Sequence, residues 1–211
     1  ITVNVAALPE HLFEAEFFGY LKGAFTGAQH SKMGLAEAAN GGDLFLDEIE
    51  ALPLTQQAKL LRFLESGDVR RIGSNDTIQV KTRIIAATNE NLNQLVEKEK
   101  FREDLLWRLS GQKLVLPPLR ERKEDLKVLC ELFIKNTRAT KNKEFSADAL
   151  DAMADYHWPG NIRELKRLCE QLDLQSPLPI IRGEDVKRHL QPNQVSPPQS
   201  RLDLNYGLPQ L

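Results

Sequence analysis

Asp47 and Glu48 stand side by side at the end of the apolar run Leu44-Phe45-Leu46. Where a buried parallel strand ends, the surrounding loops form the crevice in which open α/β sheets bind ligands. Two acids at such a place suit nucleotide hydrolysis. Asp47 can hold a magnesium ion through water, while Glu48, facing the other way on an extended backbone, polarises the attacking water. A lone Asp-Glu pair is more often a strand ending in solvated acids; the apolar strand and Gly41-Gly42 ahead of it favour the catalytic reading. Asn89 follows a second apolar run at residues 83–87. If that run lies beside the first, the amide can sense a γ-phosphate; the competing role is to cap a helix at 91–97. Glycines at both ends of Gly23-Ala24-Phe25-Thr26-Gly27-Ala28 permit a tight excursion with Phe25 and Thr26 at its tip. An exposed aromatic beside a hydroxyl is a contact device, whereas Phe25 turned into the core would make the segment a plain turn.

The elements that position these residues alternate as in an α/β fold. Residues 1–5 read as a strand, 12–18 as a helix beyond Pro9, and 44–46 as a parallel strand buried on both faces. A helix is expected over 55–66, with Ala58, Leu61 and Leu64 on its apolar side and Gly67 as its stop. Gly73-Ser74-Asn75-Asp76 signals a hairpin within 69–80, and 83–87 reads as another buried strand. A helix at 101–109 and a strand at 114–116 lead to Pro117-Pro118, which cannot join a central ladder and marks a boundary. Beyond it the pattern turns helical, with Leu126, Leu129, Cys130 and Phe133 in i, i+3, i+4, i+7 spacing and Leu150, Met153 and Ala154 repeating it. Trp158-Pro159-Gly160 forces a turn. Asn161 and Glu164 then form a capping-box-like start for a helix carrying Ile162, Leu165, Leu168 and Leu172, with Trp158 packed in the core. Arg163 sits in that helix's first turn, where anions are attracted. The expected organisation is an α/β subdomain at 1–118, a helical subdomain at 119–190 and a proline-rich tail or linker at 191–211.

A formal net charge of −2 lacks the basic footprint of a dedicated nucleic-acid binder, so DNA contact is expected only through a domain outside this chain. The two cysteines, Cys130 and Cys169, fall in apolar helical patterns and read as buried free thiols of a reducing, cytoplasmic setting. No apolar run reaches the roughly 20 residues of a membrane span, and no signal peptide opens the chain. A soluble protein is expected, and because Ile1 lies inside a strand, its natural start is expected upstream.

Gly41-Gly42-Asp43-Leu44-Phe45-Leu46-Asp47-Glu48 resembles the Walker B segment of bacterial sigma-54-dependent activators, and residues 23–28 match their signature loop at all six positions. Ala87-Thr88-Asn89, Phe101-Arg102-Glu103-Asp104-Leu105, Leu116-Pro117-Pro118-Leu119-Arg120-Glu121-Arg122 and Trp158-Pro159-Gly160-Asn161-Ile162-Arg163-Glu164-Leu165 follow in family order, covering roughly residues 1–190. The resemblance implies a partial AAA+ three-layer sandwich with a parallel sheet and a helical lid. It also implies ATP and Mg2+ as cofactors, a homo-oligomeric ring with a hexamer expected, and sigma-54 of RNA polymerase as partner. By the same resemblance Gly23, Ala24, Phe25, Thr26, Gly27 and Ala28 contact sigma-54. Asn89 becomes sensor I, Arg163 the nucleotide-reporting sensor II, and Asn4 the amide that holds Glu48 until the partner engages. Arg102 and Arg108 become arginine-finger candidates. Six residues apart on a helix they would point about 120° apart, so one is expected at the nucleotide and the other ordering the interface.

No G-x-x-x-x-G-K-[ST] segment occurs in the 211 residues, so nothing here wraps phosphates with backbone N–H groups and a lysine. The sequence therefore predicts that this chain alone hydrolyses ATP poorly, and that the loop precedes Ile1 in the natural protein. No helix-turn-helix is recognisable either. The competing expectation is a non-hydrolysing sigma-54 or subunit interaction module.

Overall fold

The structure is a computed structural model that describes residues 1–136, 143–176 and 178–190. The tail expected at 191–211 lies outside the described residues. Contacts divide the chain into two compact units, one over Ile1–Leu114 and one from Val115 onward.

The first unit runs β1 (Thr2–Asn4), α1 (Glu10–Phe18), β2 (Gly19–Tyr20), β3 (Lys32–Met33), α2 (Leu35–Ala38) and β4 (Asp43–Asp47). It continues α3 (Leu54–Ser66), β5 (Asp68–Val69), β6 (Ile78–Gln79), β7 (Arg83–Ala86), α4 (Leu92–Glu97) and α5 (Glu103–Leu109). The sheet is parallel with order β1-β4-β7, so β4 is central and its Asp47 lies beside Asn4 of β1. Leu44 and Leu46 are fully buried and Phe45 partly so. Helix α1 packs Phe13 and Phe17 as a stacked pair, with Phe17 edge-on to Phe63 of α3. These aromatics and the β4 leucines form one continuous core.

Four expectations are corrected here. Residues 114–116 form no strand, and Leu114, Val115 and Leu116 are exposed, because no neighbouring strand among the described residues pairs with them. Strand β7 is not buried on both faces: among the described residues it is an edge, and Ile85 and Ala86 are exposed. Helix α3 buries Gln57, Leu60 and Phe63, with Leu61 and Leu64 only flanking the core, so the buried face is rotated from the one that Ala58, Leu61 and Leu64 mark. A buried amide at the centre of that face hid it from a hydrophobicity count. Lastly, Glu48 is not extended; its φ of 56° is left-handed.

Gly67 does end α3, with φ 73° and its N–H on the Phe63 carbonyl. The hairpin signal is also realised, as β5 and β6 pair antiparallel.

The second unit contains α6 (Asp125–Lys135), β8 (Glu144–Phe145), α7 (Ala147–Ala154), α8 (Asn161–Gln175), β9 (Ile180–Ile181) and α9 (Gly183–Leu190). Its core gathers Leu126, Cys130, Met153, Trp158, Leu165 and Leu172. A two-residue parallel ladder, β8 with β9, joins the helices; segments that short leave no period-2 signal in sequence. Both cysteines are free and buried. Trp158 is in the core as expected, its indole N–H donating to the Met153 carbonyl at 2.8 Å. The cap of α8 differs from the expected one. Asn161 has φ 50° and its Oδ1 accepts the Leu119 N–H at 2.9 Å, while Glu164 reaches back to the Gly160 N–H at 2.8 Å. Asn161 therefore pins the Leu119 turn, and only the glutamate half of the box is made.

Candidate functional site

The carboxylates sit where a parallel sheet ends. Asp47 closes β4, half-buried, and its Oδ1 accepts the Glu48 N–H at 3.1 Å. Glu48 then turns the chain through a left-handed residue into a single 3-10 turn, Ile49–Ala51, whose first N–H, that of Ile49, reaches across to the Ala87 carbonyl at 3.1 Å. A non-glycine residue in that conformation costs about 1–2 kcal/mol, which the buried Ile49 and this hydrogen bond offset. The strain lifts Glu48 off the strand direction and keeps it half-buried beside Asp47.

Asn89 lies past the end of β7, next to β4, as the strand order requires. Its N–H approaches Glu50 Oε1 at 3.5 Å, a long contact. The cap of α4 is Asn91, whose side chain accepts the Asn93 N–H at 3.1 Å, so Asn89 has no capping duty. Asn4 is exposed, and its Oδ1 accepts the Ala7 N–H at 3.0 Å instead of meeting Glu48. Asp47, Glu48, Asn89 and Asn4 thus share the C-terminal edge of one sheet. A cavity of about 230 Å³ opens near this edge, lined by Val5, Leu8, Glu10, Phe13, Leu52 and Pro53. A larger one, about 330 Å³, lies between the end of α3 and β6 and contains none of the candidate residues.

Oxygen donors at Asp47 and Glu48 suit a hydrated, hard cation such as magnesium. Among the described residues nothing cradles a triphosphate.

Arg102 and Arg108 are both engaged within their own unit. Arg102 is the N-cap of α5, so the helical angle between the two does not apply. Its guanidinium grips Asp104 in two hydrogen bonds of 2.6 and 3.0 Å, which hold the Asp104 carboxyl below its ordinary range and the guanidinium above. Arg108 donates twice to the Leu64 carbonyl, at 2.7 and 3.1 Å, satisfying one of the carbonyls left over at the end of α3. Trp107 between them is 73% exposed. In the second unit Arg163 is exposed in the first turn of α8, and Glu164 is engaged by Gly160 and Tyr156, not by Arg163.

The loop at 23–28 is built on the β2–β3 hairpin. Gly19 and Gly34 face one another so closely at its base that a Cβ on either would meet backbone at 2.3–2.5 Å. The loop closes through Gly23 N–H to the Ala28 carbonyl at 2.8 Å and Ala28 N–H to the Phe25 carbonyl at 3.0 Å. Gly23 and Gly27 take φ of 81° and 102°, the left-handed region that glycine enters freely. Ala28 is buried, whereas Phe25, at 43% exposure, and Thr26 are presented to solvent. The aromatic is not core.

Three contributors escaped the sequence reading. Tyr20 meets the Phe25 ring edge-on at 5.0 Å. Glu37 and Arg71 form a part-buried bidentate pair at 2.6 and 2.9 Å between α2 and the strand segment beside the loop. Gln57, fully buried, donates to the Leu52 and Lys100 carbonyls at 2.7 and 3.0 Å and accepts the Arg102 N–H at 2.8 Å. The last two are ordinary polar residues until partners more than 30 positions away are known. Tyr20, five residues before Phe25, was the one a search for aromatic neighbours could have found.

A parallel sheet carrying an acid pair at its C-terminal edge, followed by a separate helical unit, is the arrangement of an AAA+ protein, and the family and structural matches establish that fold. Residues 1–115 match the sigma-54 interaction domain and residues 120–202 the AAA+ ATPase lid domain. The chain belongs to the sigma-54 interaction domain family. It is 47% identical over 189 residues to the regulatory protein AtoC of Escherichia coli, covering 88% of this chain and 41% of that protein. It is 49% identical over 176 residues to UacR of the same organism, a putative uric acid sigma-54-dependent transcriptional regulator, covering 82% of this chain and 30% of UacR. The crystal structure of NtrX from Brucella abortus in complex with ADP superposes with a TM-score of 0.79 at 32% identity, covering 88% of this chain and 42% of NtrX. The chain thus spans less than half the length of each of these proteins. Among the described residues no helix is long and apolar enough to cross a membrane.

Proposed function

We propose that this chain is the sigma-54-engaging part of an ATP-driven transcriptional activator working as a homo-oligomeric ring, a hexamer by family resemblance. Phe25 and Thr26 contact sigma-54. Asp47 holds magnesium through water, Glu48 orients the attacking water, Asn89 senses the γ-phosphate and Arg163 reports nucleotide state in the lid. Arg102 and Arg108 serve the neighbouring subunit's site, and Asn4 restrains Glu48 in an unengaged state; its amide nitrogen has no partner among the described residues and is free to do so. ATP supplies the phosphoanhydride whose cleavage drives the cycle; this chain's residues position water, cation and partner. The observation that carries the reading is the closed hairpin that buries Ala28 while presenting Phe25 and Thr26. NtrX crystallised with ADP supports the nucleotide half.

The test titrates the labelled amino-terminal region of sigma-54 with the chain. Thr26→Ala should abolish binding without moving the unfolding midpoint; unchanged binding would remove the loop from the mechanism. The competing reading is a non-hydrolysing interaction module. Reading the coding sequence upstream of Ile1 separates the two, since a phosphate-binding loop there supports hydrolysis and its absence from the native protein sinks it.

A further inference from the structure

We infer that Tyr20 is a positioning residue for the sigma-54 contact: its ring fixes the orientation in which Phe25 is offered to the partner. The inference rests on the reading of the loop given above.

The backbone of Tyr20 is held from two sides. It pairs with Lys32 across the hairpin and bridges to Ile72, and the flanking hydrogen bonds, Leu21 N–H to the Ile72 carbonyl and Ile72 N–H to the Gly19 carbonyl, are both 2.9 Å. Its ring is half-buried and meets the Phe25 ring at 5.0 Å with planes 63° apart, the edge-to-face geometry that aromatic quadrupoles favour. Phe25 is different. Its backbone is fixed by the closed loop, yet its ring contacts no other aromatic among the described residues, and the residue remains 43% exposed. One side of Phe25 therefore leans on an immobilised ring while the rest faces solvent. A phenylalanine at a hairpin tip without such a support samples several rotamers, and binding must first order it. Tyr20 does that ordering in advance. Its hydroxyl makes no hydrogen bond among the described residues, so the ring alone carries the effect.

The experiment measures affinity of the full chain for the labelled amino-terminal region of sigma-54 by fluorescence anisotropy. Tyr20→Ala is expected to weaken binding about three- to tenfold, the range of one aromatic pair or one ordered side chain. Tyr20→Leu, which keeps apolar volume under the loop but no ring, should fall with it, and Tyr20→Phe should bind within about twofold of wild type. In a Phe25→Leu background, Tyr20→Ala should cost less than about twofold, since there is no ring left to orient. An unchanged affinity in Tyr20→Ala, no rescue by Tyr20→Phe, or a full additive loss in the Phe25→Leu background would overturn the inference. If instead Phe25→Leu binds as well as wild type, the loop reading itself fails, an outcome distinguishable because it does not involve Tyr20.

Discussion

Replacing Gln57 with alanine should be among the most damaging single changes in the first unit, although the residue is polar and lies outside every motif. The amide is fully buried and ties three segments together: the Leu52 carbonyl before α3, the Lys100 carbonyl after α4 and the Arg102 N–H at the start of α5. Alanine strands all three partners. A buried polar group left unsatisfied costs about 1–3 kcal/mol, and water entering the vacated space recovers part of it, so the expected loss is about 3–5 kcal/mol. For a unit of this size that lowers the melting temperature by roughly 10–20 °C. Thermal and urea unfolding by circular dichroism measures the stability, and hydrogen exchange at the Arg102 amide reports the broken contact directly. Gln57→Glu adds a sign test. The glutamate keeps the acceptor for Arg102 but sets an oxygen against two carbonyls, so the fold favours its protonated form and raises its pKa. Stability should then be near its best below about pH 4.3 and fall as pH rises above it, by about 1.4 kcal/mol per unit until the folded-state pKa is reached. A loss in Gln57→Ala under about 1 kcal/mol, or an Arg102 amide that exchanges as in wild type, would refute the reasoning.

Two further outcomes follow from geometry. The Cys169 thiol is held in its protonated form by the hydrogen bond it donates to the Cys130 sulfur and by burial, which push its pKa far up. The folded second unit therefore keeps a proton that the unfolded chain releases, and its stability, read from buried Trp158 fluorescence, should decline above about pH 8.5–9. Cys169→Ala should flatten that decline, and an unchanged slope would assign it to other groups. Gly34→Ala places a Cβ 2.3 Å from the Phe18 carbonyl carbon and should open the hairpin base. Gly23→Ala meets nothing within 4 Å, only a φ of 81°, and should cost about 1 kcal/mol. Equal urea midpoints for the two variants would contradict this ordering.

The strand-helix order, the buried parallel strand at Leu44-Phe45-Leu46, the hairpin and the helices of the second unit were legible because each rests on a local period or a glycine. That Asp47, Glu48 and Asn89 share one edge was legible because a parallel sheet delivers its strand ends to one side. What escaped was set by distant neighbours. The run at 83–87 is as apolar as an interior strand, and only the strand order reveals it as an edge. The face of α3 was misread because Gln57 is buried by three partners that no periodicity records. Asn4, Arg102 and Arg108 were assigned by resemblance, and their resting hydrogen bonds to Ala7, Asp104 and Leu64 depend on backbone turns invisible in a string of letters.

The exposed margin of β7 has a practical corollary. Ile84, Ile85 and Ala86 offer β-branched and small side chains beside main-chain groups with no ladder on that side among the described residues. Such a margin is adhesive: extended segments from any molecule can add to it as an extra strand, and concentration alone drives the addition. Arg83 is its sole charged guard, and its guanidinium is already occupied by Asp43. That margin gives the chain a route to self-association at a place separate from the loop at 23–28.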